Sequence, residues 1–544
     1  MPADQKNKTD YKTLSNSKEN GAAKSRDLVT LKPAQNGRKT VPAGELKSFS
    51  NDKINVNSSA PENVPDEFSL EENVSAKNGS EVSGKKEKTV RTENLAYADQ
   101  IKHKKEEKRA ERDWELLSSD KWLVRNGHTF SYVGLYLFSV LVLFRPYEII
   151  PGLGFLSATA FYFALATLAI YIPTQMSGEG NLTTFTTEIK CILGMTALAL
   201  LTMPIAKSPG MAWEEFNNTF SKAVIIFIVM VNVLRNRKRL MGLVWLSLVI
   251  GVYLGYAAFG MYMRGELKVE GYRVGVDIGG MFGNPNDMSI HLITMIPIAI
   301  ALMLASRSRM MKLVYLGMTI IMICGNMVTY SRGGFLGLIA GSAVLAWKLG
   351  RRNRFLVSSV ALVVGALVIL LAPNNFGLRV LSIFIPGLDE AGSSDQRRAL
   401  LERSIVVTLR NPWGIGIGNF PIVGIQNLVS HNAYTQVSAE LGILGLILYL
   451  IFIISPFRKL GAIERTLAKR EEFDWFYYLS IGLQASIVGY LVSSFFASVA
   501  YNWFIYYLIA YAVAFRRIYT IEKGLDDEVE VESFRDKIKH FRTA

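Results

Sequence analysis

The stretch that decides the fold runs from residue 431 to residue 455 and reads HNAYTQVSAELGILGLILYLIFIIS. It opens with the polar pair His431-Asn432, and nine residues later Gly442 and Gly445 fall inside an apolar run. The run approaches the roughly 20 apolar residues that are needed to cross a bilayer. Because backbone groups in lipid must bond within their own segment, the stretch predicts a transmembrane helix with a histidine at its polar mouth.

Similar apolar runs recur along most of this chain, which has 544 residues and is 50% hydrophobic. About twelve runs approach the spanning length, and each of them predicts one helix. They lie at 130–150, 155–173, 188–204, 219–234, 240–262, 287–305, 311–330, 333–349, 355–372, 432–455, 475–498 and 500–515. The predicted fold class is an all-α polytopic membrane protein.

Short clusters of Lys and Arg set the orientation of these helices. Each cluster follows an even-numbered run, at 235–239, 307–312, 348–354, 458–470 and 516–517. Positive loops face the cytoplasm, so both termini are predicted to be cytoplasmic and the odd-numbered connections to face outward. Since topology accounts for the net charge of +14, we expect no nucleic-acid partner.

Composition divides the chain into four regions. Residues 1–112 are polar, contain few aromatic residues and have no apolar signal core, so we predict a disordered cytoplasmic tail. Residues 113–129 form a juxtamembrane segment, 130–517 the transmembrane domain and 518–544 a cytoplasmic C-terminal tail. The charged stretch at 98–122 suits either a basic helix on an anionic leaflet or a solvated linker.

The longest outward connection, 373–431, is predicted to be a small folded loop. Loops of this length are usually functional or disordered. This one carries Trp413, Phe420 and a charged stretch, and 394–409 has helical spacing. We therefore expect one or two short helices at the outer face.

The cysteines predict neither a disulfide nor a metal site. Cys191 and Cys324 both lie inside apolar runs. No Cys/His spacing resembles a zinc site, so no metal or cofactor is expected.

The first outward polar segment is 263–286, with Asn284-Pro285-Asn286-Asp287 at its end. Asn-Pro favours a turn, and Asn286 or Asp287 could serve as the N-cap of the sixth helix. Arg273 is harder to explain structurally, because it is an outer-face arginine that runs counter to the positive-inside bias.

The second outward polar segment is Ser331-Arg332-Gly333-Gly334. Paired glycines near a helix N-terminus expose backbone amides, which is a favourable place for an anion. The fork geometry of Arg332 suits two phosphate oxygens. The alternative is an arginine that snorkels to the membrane interface.

The third outward segment combines Arg397 and Arg398, on the predicted loop helix, with His431. Histidine can take a proton near neutral pH. The structural alternative for His431 is a helix cap or a hydrogen-bonded surface residue.

Together these segments predict a lipid-linked diphosphate as the ligand. The lipid tail would lie between helices among membrane lipids, and the diphosphate would meet Arg273 and Arg332. An attached sugar would reach the aromatic side chains of Trp413, Phe420 and Tyr434, although aromatic residues also belong at membrane interfaces.

The chain resembles the O-antigen ligase and O-antigen polymerase superfamily of bacterial inner-membrane glycosyltransferases. The matching motifs are Phe282-Gly283-Asn284-Pro285-Asn286-Asp287, Tyr330-Ser331-Arg332-Gly333, Asn411-Pro412-Trp413-Gly414-Ile415-Gly416 and His431-Asn432 with its two glycines, Gly442 and Gly445. Their order and spacing match from about residue 125 to 517, and Arg397-x-x-x-Leu401 resembles a pattern of the ligase loop. The tail at 1–112 is not covered.

This resemblance implies a reaction in which a glycan moves from undecaprenyl diphosphate to an acceptor hydroxyl at the periplasmic face, without metal or cofactor and with inversion. Arg273 and Arg332 would neutralise the departing diphosphate, and His431 would be the general base. The implied substrate-binding residues are Arg397, Arg398, Asn286, Asn432, Tyr434 and Trp413.

The resemblance leaves the acceptor open. A ligase transfers to lipid A-core, a polymerase to another lipid-linked repeat of O-antigen or exopolysaccharide, and a third branch to protein serine or threonine. The His-Asn and Arg-x-x-x-Leu patterns favour the ligase. A flippase or transporter is disfavoured, because few charges fall mid-span and the halves show no repeat.

Overall fold

The computed structural model describes the chain in six ranges. They are 122–150, 152–156, 159–267, 269–276, 282–350 and 393–523. The tail at 1–112, the ninth apolar run at 355–372 and the first part of the outer loop at 373–392 lie outside the described residues, as does 524–544.

Helices dominate these ranges. They are α1 (Trp122–Ser139), α2 (Pro146–Ile149), α3 (Thr159–Glu179), α4 (Thr187–Thr202), α5 (Pro209–Glu215), α6 (Ser221–Val233), α7 (Arg237–Met263), α8 (Pro285–Ala305), α9 (Arg309–Val328), α10 (Arg332–Leu349), α11 (Ser393–Arg410), α12 (Phe420–Val423), α13 (Ala433–Lys469), α14 (Trp475–Ser493) and α15 (Trp503–Lys523). Apart from one isolated bridge between Val269 and Arg273, the described part of the chain has no β-structure.

The predicted all-α polytopic membrane fold is confirmed. Nine helical segments of the described ranges are long and apolar enough to cross a membrane. Helices α3 and α10 lie over the second and eighth predicted runs. Helix α11 covers the helix that was predicted at 394–409 in the outer loop.

Three predicted helix boundaries were wrong, each for a local reason. The N-cap of α8 is Asn284, whose side chain accepts from the Asn286 amide at 2.9 Å, because Pro285 occupies the first helical position. Helix α15 begins at Trp503 rather than at residue 500, and α13 continues past its apolar part to Lys469. The connection before α15 therefore spans 497–502.

Helix α13 is kinked at Gly442, which has φ 76° and ψ −179°. The kink frees backbone groups that bind the segment before α12. The Ile415 and Gly416 amides donate to the carbonyls of Ala439 and Glu440 at 2.9 and 3.0 Å, and the Ile443 amide donates to Pro412 at 3.0 Å. Non-helical backbone is tolerated at membrane depth when protein groups satisfy it in this way.

Replacing Gly442 with alanine should destabilise the protein. The backbone angles of Gly442 are essentially restricted to glycine, at a cost of about 1–3 kcal/mol for other residues. An added Cβ would lie 2.4 Å from the Pro412 carbonyl oxygen and 2.6 Å from the Trp413 carbonyl carbon. We expect a lower midpoint of thermal unfolding in detergent.

Gly317→Ala is the matched control, because Gly317 lies in α9 and its added Cβ would meet nothing within 4 Å. This variant should unfold like the wild type. Equal unfolding midpoints for Gly442→Ala and the wild type would contradict the described kink.

Three ion pairs between helices lie at one end of the bundle. They join Lys348 to Glu464 at 2.7 Å, Arg237 to Glu522 at 2.6 Å and Lys459 to Glu188 at 2.9 Å. Lys348 ends α10 and Glu464 lies near the end of α13, so both are many helical turns from Arg332 and His431 at the starts of those helices. The predicted site residues and the basic clusters thus lie at opposite ends.

Candidate active site

A polar cavity of about 330 Å³ lies where α8, α13 and the connection 497–502 meet. Helix α5 and the segment around α12 complete its wall. Its lining includes Glu215, Asn284, Asn286, Asp287, Gly418, Pro421, Val429, His431, Gln436, Glu440, Ala497, Ser498, Tyr501 and Asn502. Of the predicted catalytic and substrate-binding residues, His431 and Asn286 line this cavity directly.

His431 is held in an unusual backbone conformation at the cavity wall. Its φ is 52°, in the left-handed region that non-glycine residues seldom adopt. Both neighbours are anchored: Ser430 Oγ is 3.2 Å from Ser498 Oγ, and Asn432 is the N-cap of α13. The half-buried imidazole is therefore fixed by its flanking residues rather than by serving as the cap itself.

The surroundings of His431 favour its neutral form. Burial lowers the pKa of the imidazole below its usual value of 6.5, and the positive charge of Arg397 lowers it further. A neutral imidazole can accept a proton, whereas the protonated form cannot. At neutral pH this side chain is thus suited to act as a base.

The two arginines of α11 differ in their environment. Arg397 is half-buried and acts electrostatically on His431. Arg398 is exposed and pairs with Glu402 at 3.2 Å, one helical turn away. Leu400 is fully buried on the inner side of α11. The helix therefore places Arg397, and not Arg398, beside the histidine.

Arg273 lies beneath the cavity in a buried hydrogen-bond network. Its Nε donates to the Thr329 carbonyl oxygen at 2.9 Å, its Nη1 to Glu270 Oε1 at 3.2 Å and its Nη2 to Asn286 Oδ1 at 2.8 Å. The side chain is 3% exposed. Arg273 thus fixes Asn286 and links the segment after α7 to α8 and to the end of α9.

Arg332 is the first residue of α10, directly after Ser331. Ser331 Oγ donates to Asn286 Oδ1 at 2.9 Å and accepts from the Gly334 amide at 3.2 Å. The Asn286 oxygen thus accepts from both Arg273 and Ser331, so its amide nitrogen is the group presented to the cavity. Arg332 belongs to the rim of the same network.

The paired glycines at the start of α10 have a packing role. A Cβ on Gly334 would lie 1.6 Å from Ser289 Oγ, and one on Gly333 would lie 2.8 Å from Phe496 Cβ. Glycine therefore lets α10 approach α8 and the turn after α14. The Gly334 amide donates to the Ser331 cap and is therefore already used within the protein.

Apart from His431 and Asn286, the predicted site residues lie outside the cavity lining: Arg273, Arg332, Arg397, Arg398, Asn432, Tyr434 and Trp413. The Asn432 side chain caps α13 by accepting from the Tyr434 and Thr435 amides at 2.9 and 3.1 Å. The Tyr434 hydroxyl donates to the Leu491 carbonyl oxygen at 2.6 Å, between α13 and α14. Trp413 is 72% exposed. The Asn432 side chain therefore caps a helix, and the Tyr434 hydroxyl joins two helices.

The cavity also contains polar groups that motif spacing did not single out. Asp287 was predicted only as a possible cap, and Glu215, Gln436, Glu440 and Tyr501 were not predicted at all. Glu440 and Tyr501 are each 2% exposed and fell inside predicted apolar spans. A charged residue within a span is itself a signal for a functional site.

Comparison with known protein families finds a match to one part of the chain. Residues 317–450 match the family model described as O-antigen ligase, from the middle of α9 to the middle of α13. The match includes Arg332, Arg397 and His431, and it confirms the resemblance over that segment. No curated protein matches the chain. The match supports a ligase or polymerase type of function, with a lipid-linked glycan and an acceptor as substrates.

Proposed function

We propose that this protein is a glycosyltransferase of the O-antigen ligase type, which moves a glycan from undecaprenyl diphosphate to an acceptor hydroxyl. The carrying observation is that His431 and Asn286 line one cavity. Asn286 accepts hydrogen bonds from Arg273 and from Ser331, which directly precedes Arg332 at the start of α10. By the positive-inside rule, the opposite end with the basic clusters is cytoplasmic. The cavity would then open toward the periplasmic side of the inner membrane, and both termini would be cytoplasmic.

Arg332 and Arg273 would stabilise the departing diphosphate. Negative charge builds up on the leaving group as the glycosidic bond breaks, and fixed cations near that group lower the barrier. Arg332 also stands at the N-terminus of α10, where the helix dipole favours an anion. Arg273 would contribute its positive charge through its hydrogen bond to Asn286, which also fixes the position of that side chain. We therefore assign Arg273 a supporting electrostatic role. Because these two arginines would supply the positive charge, the departing diphosphate would need no metal ion.

His431 would act as general base. The acceptor oxygen attacks the anomeric carbon, its proton passes to the neutral imidazole, and the bond between that carbon and the diphosphate oxygen breaks. The electron pair leaves with undecaprenyl diphosphate, and direct displacement inverts the anomeric centre. A positioned base of this kind contributes about 10²–10⁴-fold to a rate.

The pH dependence of transfer should report the environment of His431. Because its pKa is lowered, the base stays neutral down to a pH below 6.5, and kcat/KM should fall only as the pH drops through that lowered value. The Arg397→Gln variant removes the positive charge near His431 but leaves the imidazole buried. The pKa of His431 should therefore rise, so the acidic limb, where kcat/KM falls with falling pH, should move to higher pH. Other titratable groups face the cavity, namely Glu215, Asp287, Glu440 and Tyr501.

Arg398→Gln is the control for this measurement, since Arg398 is exposed and paired with Glu402. Its pH profile should overlay that of the wild type. An acidic limb that stays in place in Arg397→Gln would contradict the role of His431 as the titrating base.

The acceptor class is best tested in cells. We favour lipid A-core, because the His-Asn and Arg-x-x-x-Leu patterns fit a ligase. Deletion of the gene should then leave a full-length glycan on its lipid carrier. Collapse of a glycan-length ladder to single repeats would instead identify a polymerase, and loss of glycan from protein would identify an oligosaccharyltransferase.

Transfer by the purified protein in detergent tests the function itself. The protein would be mixed with a lipid-diphosphate-linked glycan and the acceptor, and the product would be identified by mass spectrometry. The assay needs no second compartment, so product formation would exclude a flippase as the main account. Absence of product with every acceptor class would contradict the proposal.

A further inference from the structure

One wall of the cavity carries buried polar atoms that no protein group satisfies. Gln436 and Glu440 lie one turn apart on α13, and Tyr501 lies opposite in the connection 497–502. Within the described residues, Gln436 Oε1, Glu440 Oε2 and the Tyr501 hydroxyl have no protein hydrogen-bond partner. Leaving a buried polar group unpaired destabilises the fold, so three such groups at one cavity indicate a place for a polar ligand.

Glu440 is fixed so that one carboxylate oxygen is presented to the cavity. Its Oε1 accepts from the Phe420 amide at 3.3 Å, and the Gly418 amide also bonds to the carboxylate. The carboxylate therefore ties α13 to the segment that docks into the Gly442 kink. Its Oε2 makes no hydrogen bond of regular geometry, although the Tyr501 hydroxyl is near enough to interact with the carboxylate by charge and by a weak hydrogen bond. The pair can therefore bind a ligand hydroxyl together.

The chemistry of this wall indicates a ligand that donates hydrogen bonds. Three acidic side chains, those of Glu215, Asp287 and Glu440, line the cavity, and its described lining includes no lysine or arginine that would bind a phosphate. Within the described ranges, acidic, histidine and cysteine side chains form no group that could hold a metal ion. A sugar ring offers several hydroxyls that both donate and accept. The volume of about 330 Å³ is at the lower end for small-molecule pockets.

We propose that Gln436, Glu440 and Tyr501 form a subsite that recognises the hydroxyls of one sugar ring, and that Glu440 is its main specificity-determining residue. This inference rests on the proposed function. The network around Arg273 and Arg332 would hold the diphosphate, while the acidic wall binds the sugar. The arginines beside the cavity and the acidic side chains that line it would thereby orient the glycan with its reacting centre near His431.

The test uses Glu440→Gln and Tyr501→Phe in the purified full-length protein. Glu440→Gln keeps the size of the side chain and removes its charge, and Tyr501→Phe removes only the hydroxyl. Hydrogen bonds to charged groups are worth more than neutral ones, so we expect about a ten- to hundredfold loss of kcat/KM for Glu440→Gln and a smaller loss for Tyr501→Phe. Tyr519→Phe is the matched control, because it removes a buried hydroxyl on α15 that also has no protein partner and is not among the cavity-lining residues.

Deoxy analogues separate recognition from folding. A substrate that lacks the recognised hydroxyl should be poor for the wild type, and the penalty should shrink in Glu440→Gln, which a purely structural change would not produce. This coupling, a smaller deoxy penalty in Glu440→Gln than in the wild type, identifies the bound sugar. If it appears with deoxy donors, the subsite holds the donor sugar. If it appears with deoxy acceptors, the subsite holds the acceptor sugar.

The outcomes distinguish this inference from the function on which it rests. If the wild type transfers glycan but Glu440→Gln and Tyr501→Phe match Tyr519→Phe, the sugar subsite is overturned and the proposed function stands. The same holds if the variants lose activity but show no coupling to any substrate hydroxyl. If the wild type transfers no glycan at all, both proposals fall.

Discussion

Replacing His431 with alanine should slow glycan transfer by about two to four orders of magnitude at neutral pH, the usual contribution of a positioned base. The side chain lines the cavity, its backbone is held at φ 52°, and its surroundings keep the imidazole neutral. The loss should appear in kcat of the purified protein. Binding of the lipid-linked donor should change little, because the proposed diphosphate contacts are elsewhere.

His431→Gln separates catalysis from structure. Glutamine keeps a polar side chain at the entry of α13 but cannot take the proton, so it should be about as inactive as alanine. The cap itself is provided by Asn432, and both variants should therefore keep a near wild-type unfolding midpoint. Recovery of transfer in His431→Gln would contradict the role as base and leave His431 a structural residue.

Replacing Arg332 with alanine should lower kcat by about 10²–10³-fold, as removal of one preorganised group that stabilises developing charge commonly does. Arg332 stands at the N-terminus of α10 beside the Ser331–Asn286 hydrogen bond. Arg332→Lys should recover part of the rate, because lysine supplies the charge but not the two-pronged geometry. Release of lipid diphosphate gives the most direct readout.

Arg410→Ala is the matched control for Arg332→Ala. Arg410 is exposed at the last position of α11, so its loss should change transfer by no more than a few fold. Equal rates for Arg332→Ala and the wild type would contradict the electrostatic role. So would equal losses for both arginine variants, which would indicate a general effect of surface charge.

The fold was predictable because the bilayer imposes a length on every span. Apolar runs near 20 residues predicted the long helices α1, α3, α4, α6 to α10 and α13 to α15, and the polar pair at the start of α13 predicted where His431 would lie. The boundaries were less predictable, since local chemistry sets them. Pro285 moved the cap of α8 to Asn284, and Trp503 rather than residue 500 begins α15.

The acidic wall of the cavity could not be predicted from spacing. Glu440 lies in an apolar run, and the mean hydropathy of that run does not reveal a single acidic residue. Tyr501 lies at the start of another apolar run and is equally hard to distinguish there. Both reach the cavity because the chain leaves regular helix nearby. The kink at Gly442 depends on long-range hydrogen bonds to Pro412 and its neighbours, which no local pattern contains.

The arginines illustrate a second limit of sequence interpretation. Arg397 and Arg398 are adjacent in sequence, yet the rotation of α11 directs one toward His431 and the other to Glu402. Asn432 and Tyr434 follow the histidine so closely that they were predicted to contact substrate. Their observed hydrogen bonds serve the helix cap and the packing of α13 against α14, and contact with substrate stays a prediction.

The most direct test of the central claim is the fate of the lipid-linked glycan in a deletion strain. The strain would be complemented with wild type or with His431→Ala at matched expression, and the lipid carrier and surface glycan would be analysed by mass spectrometry. We predict that His431→Ala leaves glycan accumulated on undecaprenyl diphosphate, whereas the wild type clears it. Normal surface glycan with His431→Ala would contradict the proposed mechanism.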